Sequence, residues 1–533
     1  MEGHRPLSGA RTFALCGART PACRVHTRVN PFSRRRFLAA APALIGLTRK
    51  TDRAISGSFV NDSFPTGHRL RDRAAFQAPA HQLRIPIVII GGGMAGLSAA
   101  WHLDKRGYRD LVLLEMESQP GGNSRWGQNE VSRFPWAAHY VPVPAKGESL
   151  ARELFAEFGV LRDGKWDDRA LCFDPQERLF IYGRWQEGIE PENATRLDTE
   201  QYRRFSEKIN EFRATGQFTI PMERGAKPSP LDRLSMADWL ANQRFDSPTL
   251  RWYVNYACRD DYGALAKNTS AWAGIHYFAS REPEEKGPLT WPEGNGWITQ
   301  RLVKKLERYI RTGSPVYRVA RDGNRLRILT EQTEYIADAI IFAAPAFLAQ
   351  YLIEGAARAD GFEYSPWLTA NLTLDRIPIQ KGAEPAWDNV IYDSPTLGYV
   401  NATHMNLASH IDRTVWTFYW SLAEYTPVEA RQLLIAKDWN YWKEAILNDL
   451  SRAHPDIRQC VTHIDIMRMG HAMVRPSPGF MFSADRERWL KPLGNIFFAN
   501  SDLSGFSIFE EAQYRGVEAA RRAIDGIYFH HRP

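Results

Sequence analysis

The chain has 533 residues, of which 44% are hydrophobic and 24% are charged, so it can bury a large core and is long enough for two or three domains. Its formal net charge is +7, but residues 1–48 hold eight Arg, no Lys and one acid, so they carry +7 and the remainder sums to zero. The excess positive charge therefore lies in the N-terminal segment, and we expect no nucleic-acid binding.

That segment has the pattern of an export signal. Residues 33–38 read Ser-Arg-Arg-Arg-Phe-Leu, as in twin-arginine signals, and an apolar run at 37–47 ends before Arg49 and Lys50. This run is too short to span a bilayer. We predict export by the twin-arginine machinery, into the periplasm or beyond, with the signal cleaved or kept as an anchor; the alternative is a disordered basic tail. Residues 1–80 as a whole are predicted to be signal and linker, because they lack hydrophobic periodicity.

The strongest motif of the chain begins with an apolar strand at 85–90. It runs into Gly-Gly-Gly-Met-Ala-Gly, and a helix-like segment and a second apolar strand at 111–114 follow. In this context Gly91 permits a tight turn, Gly93 lets the backbone approach a pyrophosphate, and Gly96 lets the helix pack against the sheet. The unit predicts a dinucleotide site; the alternative is a glycine turn without a ligand.

Two further features of this unit suit a dinucleotide. The helix begins near Met94 and Ala95, so their free N–H groups and the positive end of the helix dipole would face the phosphates. Glu115 follows the second strand, where a carboxylate can accept hydrogen bonds from ribose hydroxyls.

A glycine doublet after the acid narrows the choice of dinucleotide. Beyond Glu115 the chain reaches Gly121, Gly122, Asn123 and Ser124. The arrangement resembles the FAD-binding pattern of the flavin amine oxidase superfamily, which includes monoamine and polyamine oxidases, protoporphyrinogen oxidase and phytoene desaturase-like enzymes. The resemblance implies that these four residues lie beside the FAD phosphates and the ribityl chain.

The C-terminal part resembles the closing motif of the same superfamily. Residues 495–502 have the pattern of a buried strand ending in Asp502, and 510–520 have the pattern of a helix. The resemblance implies that Asp502 binds the ribityl chain and that backbone N–H groups near Glu511 and Ala512 face the flavin ring. Family members usually have Gly where this chain has Glu511. Since the motif contains no Cys, to which some monoamine oxidases attach the flavin, we expect non-covalent FAD.

Middle segments complete the resemblance. Residues 314–319 and 326–330 are predicted to be paired strands, and 337–345 resembles the superfamily's strand ending in Ala-Pro. The resemblance places the backbone of Val316 against the adenine. Residues 291–297, Trp-Pro-Glu-Gly-Asn-Gly-Trp, resemble the glycine-rich entry that returns the chain to the FAD domain.

These pieces predict an α/β fold with two domains. A Rossmann-like FAD-binding domain of the GR2 type would be assembled from residues 81–145, 290–350 and 490–533. An α+β substrate domain would take residues 146–289 and 351–489.

Helix starts are visible within the predicted substrate domain. Ser235 and Ser247 are predicted N-caps, and Ser247 is followed by Pro. Thr426 begins a helix that is predicted to run to about Ser451.

By resemblance, the flavin accepts a hydride and the protein supplies orientation and electrostatics. Many amine oxidases carry a Lys that holds a water near flavin N5, but residues 365–374, where it is expected, contain no Lys. His139 follows the glycine doublet and His471 precedes the closing motif. Each is a candidate general base or hydrogen-bond donor to substrate; the alternative is a structural histidine.

Other candidates are aromatic, charged or sulfur-containing. Trp136, Tyr140, Tyr399 and Phe506 would flank the substrate or pack in the core. Residues 259–262, Arg-Asp-Asp-Tyr, form either a buried ion pair or a substrate contact. The five cysteines form no metal or disulfide pattern, so we expect no metal site.

The favoured function is a FAD-dependent oxidoreductase that removes a hydride from an amine or another activated C–H substrate. The electron acceptor would be O2, a quinone or another carrier. One alternative is a desaturase, dehydrogenase or isomerase of an apolar, isoprenoid-like substrate. Another is a FAD-binding scaffold without turnover.

Overall fold

The computed structural model describes residues 53–60, 63–147, 149–192, 195–281, 287–408 and 410–530. The twin-arginine motif and the apolar run after it lie outside the described residues, so export stays a prediction. In the part of the chain that is described, no helix is both long and apolar enough to cross a membrane.

The regular elements of this part are numbered in chain order. The strands are β1 (Ser56–Phe59), β2 (His81–Arg84), β3 (Ile87–Ile90), β4 (Leu111–Leu114), β5 (Trp126–Gln128), β6 (Arg133–Pro135), β7 (Leu161–Arg162), β8 (Lys165–Trp166), β9 (Glu177–Ile181), β10 (Arg184–Glu187), β11 (Ile310–Arg311), β12 (Arg318–Asp322), β13 (Arg325–Leu329), β14 (Thr333–Ala337), β15 (Ala339–Phe342), β16 (Glu363–Leu374), β17 (Asp388–Ile391), β18 (Gly398–Asn401), β19 (Thr414–Trp420), β20 (Val461–Arg475) and β21 (Ile496–Phe498). The helices are α1 (Phe64–Arg71), α2 (Met94–Lys105), α3 (Leu150–Glu157), α4 (Arg196–Ala214), α5 (Met236–Asn242), α6 (Pro248–Tyr262), α7 (Ala271–Ala279), α8 (Gly296–Leu306), α9 (Ala349–Leu352), α10 (Pro427–Ala436), α11 (Trp439–Leu450), α12 (Ile457–Cys460), α13 (Ala484–Trp489) and α14 (Phe509–His530).

A five-stranded parallel sheet forms the dinucleotide-binding half, in the order β11-β4-β3-β15-β21. Strands β3 and β4 read Ile-Val-Ile-Ile and Leu-Val-Leu-Leu, and all their residues are buried, as expected for parallel strands covered on both faces. Helices α2 and α14 pack together against this sheet, and a Cβ added at Gly516 would lie 2.1 Å from the Ala95 carbonyl oxygen. The predicted α/β fold with a Rossmann-like unit is confirmed.

A smaller sheet in the order β12-β13-β14-β2 lies beside the parallel one. Strands β12 and β13 pair antiparallel, which confirms the predicted pair, although β12 begins at Arg318 rather than at residue 314. The segment before it is left free to line a cavity.

An eight-stranded mixed sheet forms the other large layer, in the order β1-β20-β16-β19-β18-β17-β9-β10. The long strands β16 and β20 pair antiparallel at its centre, and β17 pairs parallel with β9. Helix α10 packs against β16 and β20. The helix predicted from Thr426 to about Ser451 is two helices instead, because Asp438 caps the second by accepting from Tyr441 N–H at 2.8 Å.

Helices α4 to α7 pack together as a helical layer. Their N-caps follow the predicted pattern: the Ser235 hydroxyl accepts from Asp238 N–H, and the Ser247 hydroxyl accepts from Leu250 N–H. Helix α6 ends at Gly263, whose φ of +59° stops the helix directly after residues 259–262. This end of α6 reaches the site.

Residues 53–60 and 63–84 are built into the fold, although their sequence lacks periodicity. Strand β1 extends the eight-stranded sheet by pairing parallel with β20, and β2 pairs with β14. A Cβ added at Gly57 would lie 1.9 Å from the Ile464 carbonyl oxygen, so the close approach of β1 requires glycine. This part of the expected linker is therefore structured.

Candidate active site

A large cavity opens at the carboxyl edge of the parallel sheet. Residues just beyond the ends of four of its strands line this cavity: Gly91, Glu115 and Ala343 follow their strands directly, and Asn500 lies two residues after β21. Its empty volume is about 1430 Å³, including space open to solvent. Ligands of open α/β sheets bind at this edge, and we call this space the dinucleotide cavity.

The three motif glycines meet three different steric demands. Gly91 has a φ of +104°, which L side chains rarely adopt. A Cβ at Gly96 would lie 1.9 Å from the Gly91 carbonyl oxygen, so this residue serves packing of the turn. A Cβ at Gly93 would meet no atom within 4 Å, so it would project into space that a ligand can fill.

The glycine doublet lies against this first loop. Gly121 N–H donates to the Gly92 carbonyl at 2.8 Å, and Gly121 has a φ of +128°. A Cβ at Gly122 would lie 3.3 Å from Gly93 Cα. Two strips of bare backbone thus lie side by side along one wall of the cavity.

Glu115 is held at the end of β4 by two backbone donors. Gly92 N–H donates to Oε2 at 2.6 Å, and Glu117 N–H donates to Oε1 at 2.8 Å. Burial raises the pKa of this carboxyl, while the two N–H bonds oppose that shift. Each oxygen keeps a lone pair for another donor, as a ribose-binding acid requires.

The segment at residues 495–520 contributes Asp502 and Ala512 to the lining of the dinucleotide cavity, but not Glu511. Ala346 N–H donates to Asp502 Oδ2 at 3.0 Å and Tyr364 O–H donates to it at 2.6 Å, while burial raises the Asp502 pKa to about 6. The side chain of Glu511 turns away and accepts from Met222 N–H at 2.6 Å.

That backbone N–H groups near Glu511 and Ala512 face the flavin ring stays a prediction. The Glu511 side chain itself points away from the dinucleotide cavity. It is fully buried but does not line the dinucleotide cavity. Burial raises the pKa of Glu511, and nearby Arg515, which pairs with Glu223 at 2.8 Å, partly opposes that shift. Glu511 therefore joins the start of α14 to the segment around Met222.

Most of the predicted cofactor residues come together around this one cavity. Those that line it are Gly91, Gly93, Met94, Ala95, Glu115, Gly121, Gly122, Asn123, Ser124, Val316, Asp502 and Ala512. Gly96 and Glu511 do not line it, because both pack into the surrounding structure.

A second cavity, which we call the inner cavity, adjoins the first. Both cavities are lined by Asn123, Ala138, Asn295 and Ala472, so they meet at this wall. Its empty volume is about 980 Å³, including space open to solvent. None of the described residues that line it is a Lys.

The two candidate histidines are placed in different cavities. His139 lines the inner cavity, whereas His471 lines the dinucleotide cavity and stacks on Phe347 at a centroid distance of 4.3 Å. Burial lowers the pKa of each to about 4. The structure therefore does not bring them together.

The state of His139 follows from its surroundings. Its Nδ1 lies 3.1 Å from the Ala137 carbonyl, which can only accept, so Nδ1 carries the proton and Nε2 is an acceptor. The ring lies 4.8 Å from that of Tyr419. A Cβ at Gly294 would lie 2.6 Å from His139 Cα, so the glycine-rich entry allows this close approach.

The cluster at residues 259–262 divides its charges. Arg259 donates to the Ser394 carbonyl at 2.9 Å, away from the inner cavity. Asp261 pairs with Arg281 at 3.1 Å, and both Asp260 and Asp261 line the cavity. The predicted ion pair is therefore present at Asp261, and contact of the cluster with substrate stays a prediction.

The aromatic candidates lie in two different environments. Tyr140 and Phe506 line the inner cavity, whereas Trp136 and Tyr399 pack in the core. Sequence reasoning missed Tyr419 and Trp367, which lie on strands β19 and β16 and line the cavity. Their strands are buried along nearly their whole length, so no alternation marked these rings.

Together, the parallel sheet, the two glycine loops, the acid after β4 and the adjoining cavity define a dinucleotide-dependent enzyme. The sequence model of one family, described as flavin containing amine oxidoreductase, matches residues 94–524, and this chain belongs to that family. It is a flavin-dependent oxidoreductase, and its cofactor is FAD.

Individual relatives are distant. The chain is 30% identical over 138 residues to the mitochondrial pyruvate dehydrogenase phosphatase regulatory subunit of Mus musculus. The matched segment covers 22% of this chain and 15% of that protein. Wild-type putrescine oxidase bound to putrescine is similar with a TM-score of 0.64 and 16% identity over 83% of this chain and all of that one. A fatty acid isomerase from P. acnes is similar with a TM-score of 0.62 and 16% sequence identity, over 82% of this chain and 98% of that one. At this identity the two structures show the fold alone.

Proposed function

We propose that this enzyme oxidises an amine bound in the inner cavity. The observation that carries the proposal is the lining of a cavity that meets the dinucleotide cavity: aromatic rings, a neutral His139 and the carboxylate of Asp260. Carboxylates and aromatic faces both favour cationic ligands. When bound, FAD supplies the hydride acceptor.

The proposed cofactor contacts follow from the cavity wall. The bare backbone at Gly93 and Gly122 makes room for the pyrophosphate, and the start of α2 offers N–H groups to it. Glu115 would accept from the ribose, Val316 would contact the adenine, and Asp502 would accept from the ribityl chain. We assign His471 to the cofactor side, because it lines only that cavity.

His139 is proposed to orient the substrate. With a pKa of about 4 it is too weak a base to take a proton from an alkylammonium ion, and its N–H is engaged by Ala137. Its Nε2 can still accept a hydrogen bond from an amine N–H, which would fix the position of the nitrogen.

Asp260 is proposed to handle the charge of the entering amine. Burial, together with the neighbouring Asp261, raises the pKa of Asp260 to about 7. At neutral pH such a carboxyl can exchange a proton with an ammonium group that enters the cavity. An amine must lose its proton before it can release a hydride.

Other predictions from the sequence concern an apolar substrate, the domains, export and the electron acceptor. An apolar, isoprenoid-like substrate is disfavoured by the carboxylates, since an uncharged ligand would leave them desolvated without a partner. The two-domain division, the export route, and O2 or a quinone as the electron acceptor remain proposals.

The test is anaerobic mixing of the FAD-loaded enzyme with a panel of amines and apolar alkenes. Loss of the flavin absorbance with an amine supports the proposal. Reduction or turnover with alkenes alone would replace it with the desaturase or isomerase function.

A further inference from the structure

We propose that residues 63–77, which we call the cover, retain FAD by closing over the adenosine end of the dinucleotide cavity. The cover consists of helix α1 and the segment that leads toward β2. It lies before residues 94–524, the part of the chain that the family model matches. This role concerns the cofactor and holds whichever substrate the enzyme oxidises.

The adenosine end of the cavity is marked by Glu115, the acid after β4. In Rossmann-type sites the acid at this position binds the ribose of the adenosine. Ser314 N–H donates to the Glu115 carbonyl at 2.8 Å, so the segment that leads to Val316 lies beside this acid. Val316, Leu70 and Leu352 belong to one apolar cluster and also line the cavity. Apolar surface next to a ribose-binding acid suits the purine ring.

Leu70 is the point at which the cover meets the cavity. Of the eight residues of α1, all within the described part of the chain, only Leu70 is buried, and it is 6% exposed. A helix this short is not stable by itself, so its position depends on the contacts that hold it. A cofactor in the cavity would contact Leu70 only while α1 lies in place, and bound FAD therefore favours the closed cover.

Two side-chain contacts tie the cover to the rim of the cavity. At its start, the Ser63 hydroxyl donates to a carboxylate oxygen of Glu117, which lines the cavity. Near its end, Phe76 stacks on Tyr317 with ring centroids 4.7 Å apart and an interplanar angle of 3°. Because Tyr317 directly follows Val316, this stacking also supports the cavity wall.

These contacts are weaker than the pairing of the strands on either side. Strand β1 pairs with β20 and β2 pairs with β14, whereas the cover between them belongs to neither sheet. The ion pair of Arg69 with Glu331 at 3.0 Å joins exposed side chains and contributes little. The cover can therefore open while both sheets stay paired. FAD leaves the cavity when the cover opens, and the closed cover slows its release.

The first experiment measures FAD dissociation from the FAD-loaded enzyme by flavin fluorescence after dilution, without any substrate. Leu70→Ala removes a contact in the cavity, and Phe76→Ala loosens the cover outside the cavity. We expect each variant to raise the FAD dissociation rate about ten-fold or more, because each loses apolar contacts of the closed cover. The matched control is Leu83→Ala on β2, since this side chain is 48% exposed, and it should release FAD as wild type does.

A rise in Leu70→Ala alone would show a single wall contact and would overturn the cover as the retaining element. Unchanged release from both variants would overturn it as well. Failure of every amine to reduce the flavin would defeat only the proposed function, because FAD release is measured without an amine.

Limited trypsin digestion of the wild-type enzyme tests the same inference without a variant. Arg69, Arg71 and Arg73 of the cover are exposed. We expect cleavage after these residues to be about ten-fold slower or more with FAD bound than without it, because FAD lowers the population of the open cover. Cleavage after Arg413, an exposed residue before β19, should not depend on FAD. Cleavage of the cover at equal rates with and without FAD would overturn the inference.

Discussion

Glycine backbone forms one wall of the dinucleotide cavity, whereas the inner cavity is lined by side chains from distant segments. In the first, Gly93 and Gly122 are useful because they lack side chains. In the second, Trp367 and Tyr419 meet only because β16 pairs with β19. One region is therefore encoded by local motifs and the other by tertiary pairing.

The largest effect should come from filling the backbone-lined cavity. We expect Gly93→Val to weaken FAD binding by at least about 100-fold, since the new side chain would occupy the space left for the pyrophosphate. The Tm of the FAD-free protein should change little, because no atom lies within 4 Å of the new Cβ. FAD titration by fluorescence measures the affinity.

Gly67→Val is the matched control, because a Cβ at Gly67 also meets no atom within 4 Å and the residue lies outside the cavities. Full FAD occupancy in Gly93→Val would show that the phosphate loop has been assigned wrongly.

His139→Leu should act on rate rather than on cofactor affinity. Loss of the Nε2 acceptor would leave the amine poorly oriented, which we expect to slow flavin reduction about 100-fold. Stopped-flow reduction measures the rate, and FAD titration provides the control.

His471→Leu should show the opposite pattern, with weaker FAD binding and a smaller effect on the rate once FAD is saturating. Equal behaviour of the two variants would contradict their placement in different cavities.

Gly96→Ala should destabilise the fold instead of blocking the ligand. Its Cβ would lie 1.9 Å from the Gly91 carbonyl oxygen, so the turn must shift. Overpacking of this kind costs about 1–3 kcal/mol. Thermal unfolding of the FAD-free protein should show a lower Tm than wild type, while Gly93→Val should not.

Asp260→Asn should have the smallest effect, which is a change in how the Tm depends on pH. A carboxyl whose pKa is about 7 in the folded state and near 4 when unfolded makes folding more favourable below pH 4, and this contribution is lost as the pH rises toward 7. The Tm of wild type relative to Asp260→Asn should therefore fall across that range. A constant difference would mean that Asp260 is not perturbed.

The same comparison explains what could be predicted from the sequence. The glycine turn, Glu115, the doublet and Asp502 are short motifs whose backbone demands are visible in residue type, and they line one cavity as expected. The side chain of Glu511 follows a tertiary bond to Met222, which no local motif encodes. Tyr419 and Trp367 could not be picked out, because buried strands carry no alternation.

The helical predictions also succeeded only where the signal lies in the local sequence. The N-caps at Ser235 and Ser247 depend on residues a few positions apart and were predicted correctly. The break between α10 and α11 was missed, because the sequence around Asp438 otherwise supports a continuous helix. Strand β1 gave no sequence signal, since its pairing with β20 depends on a partner about four hundred positions later.

Anaerobic titration of the FAD-loaded enzyme with amines tests the central claim most directly. We predict that the oxidised flavin spectrum is lost on addition of at least one amine of the panel, because hydride transfer from that amine reduces the flavin. A flavin that stays oxidised with every amine of the panel, at full FAD occupancy, would contradict the account.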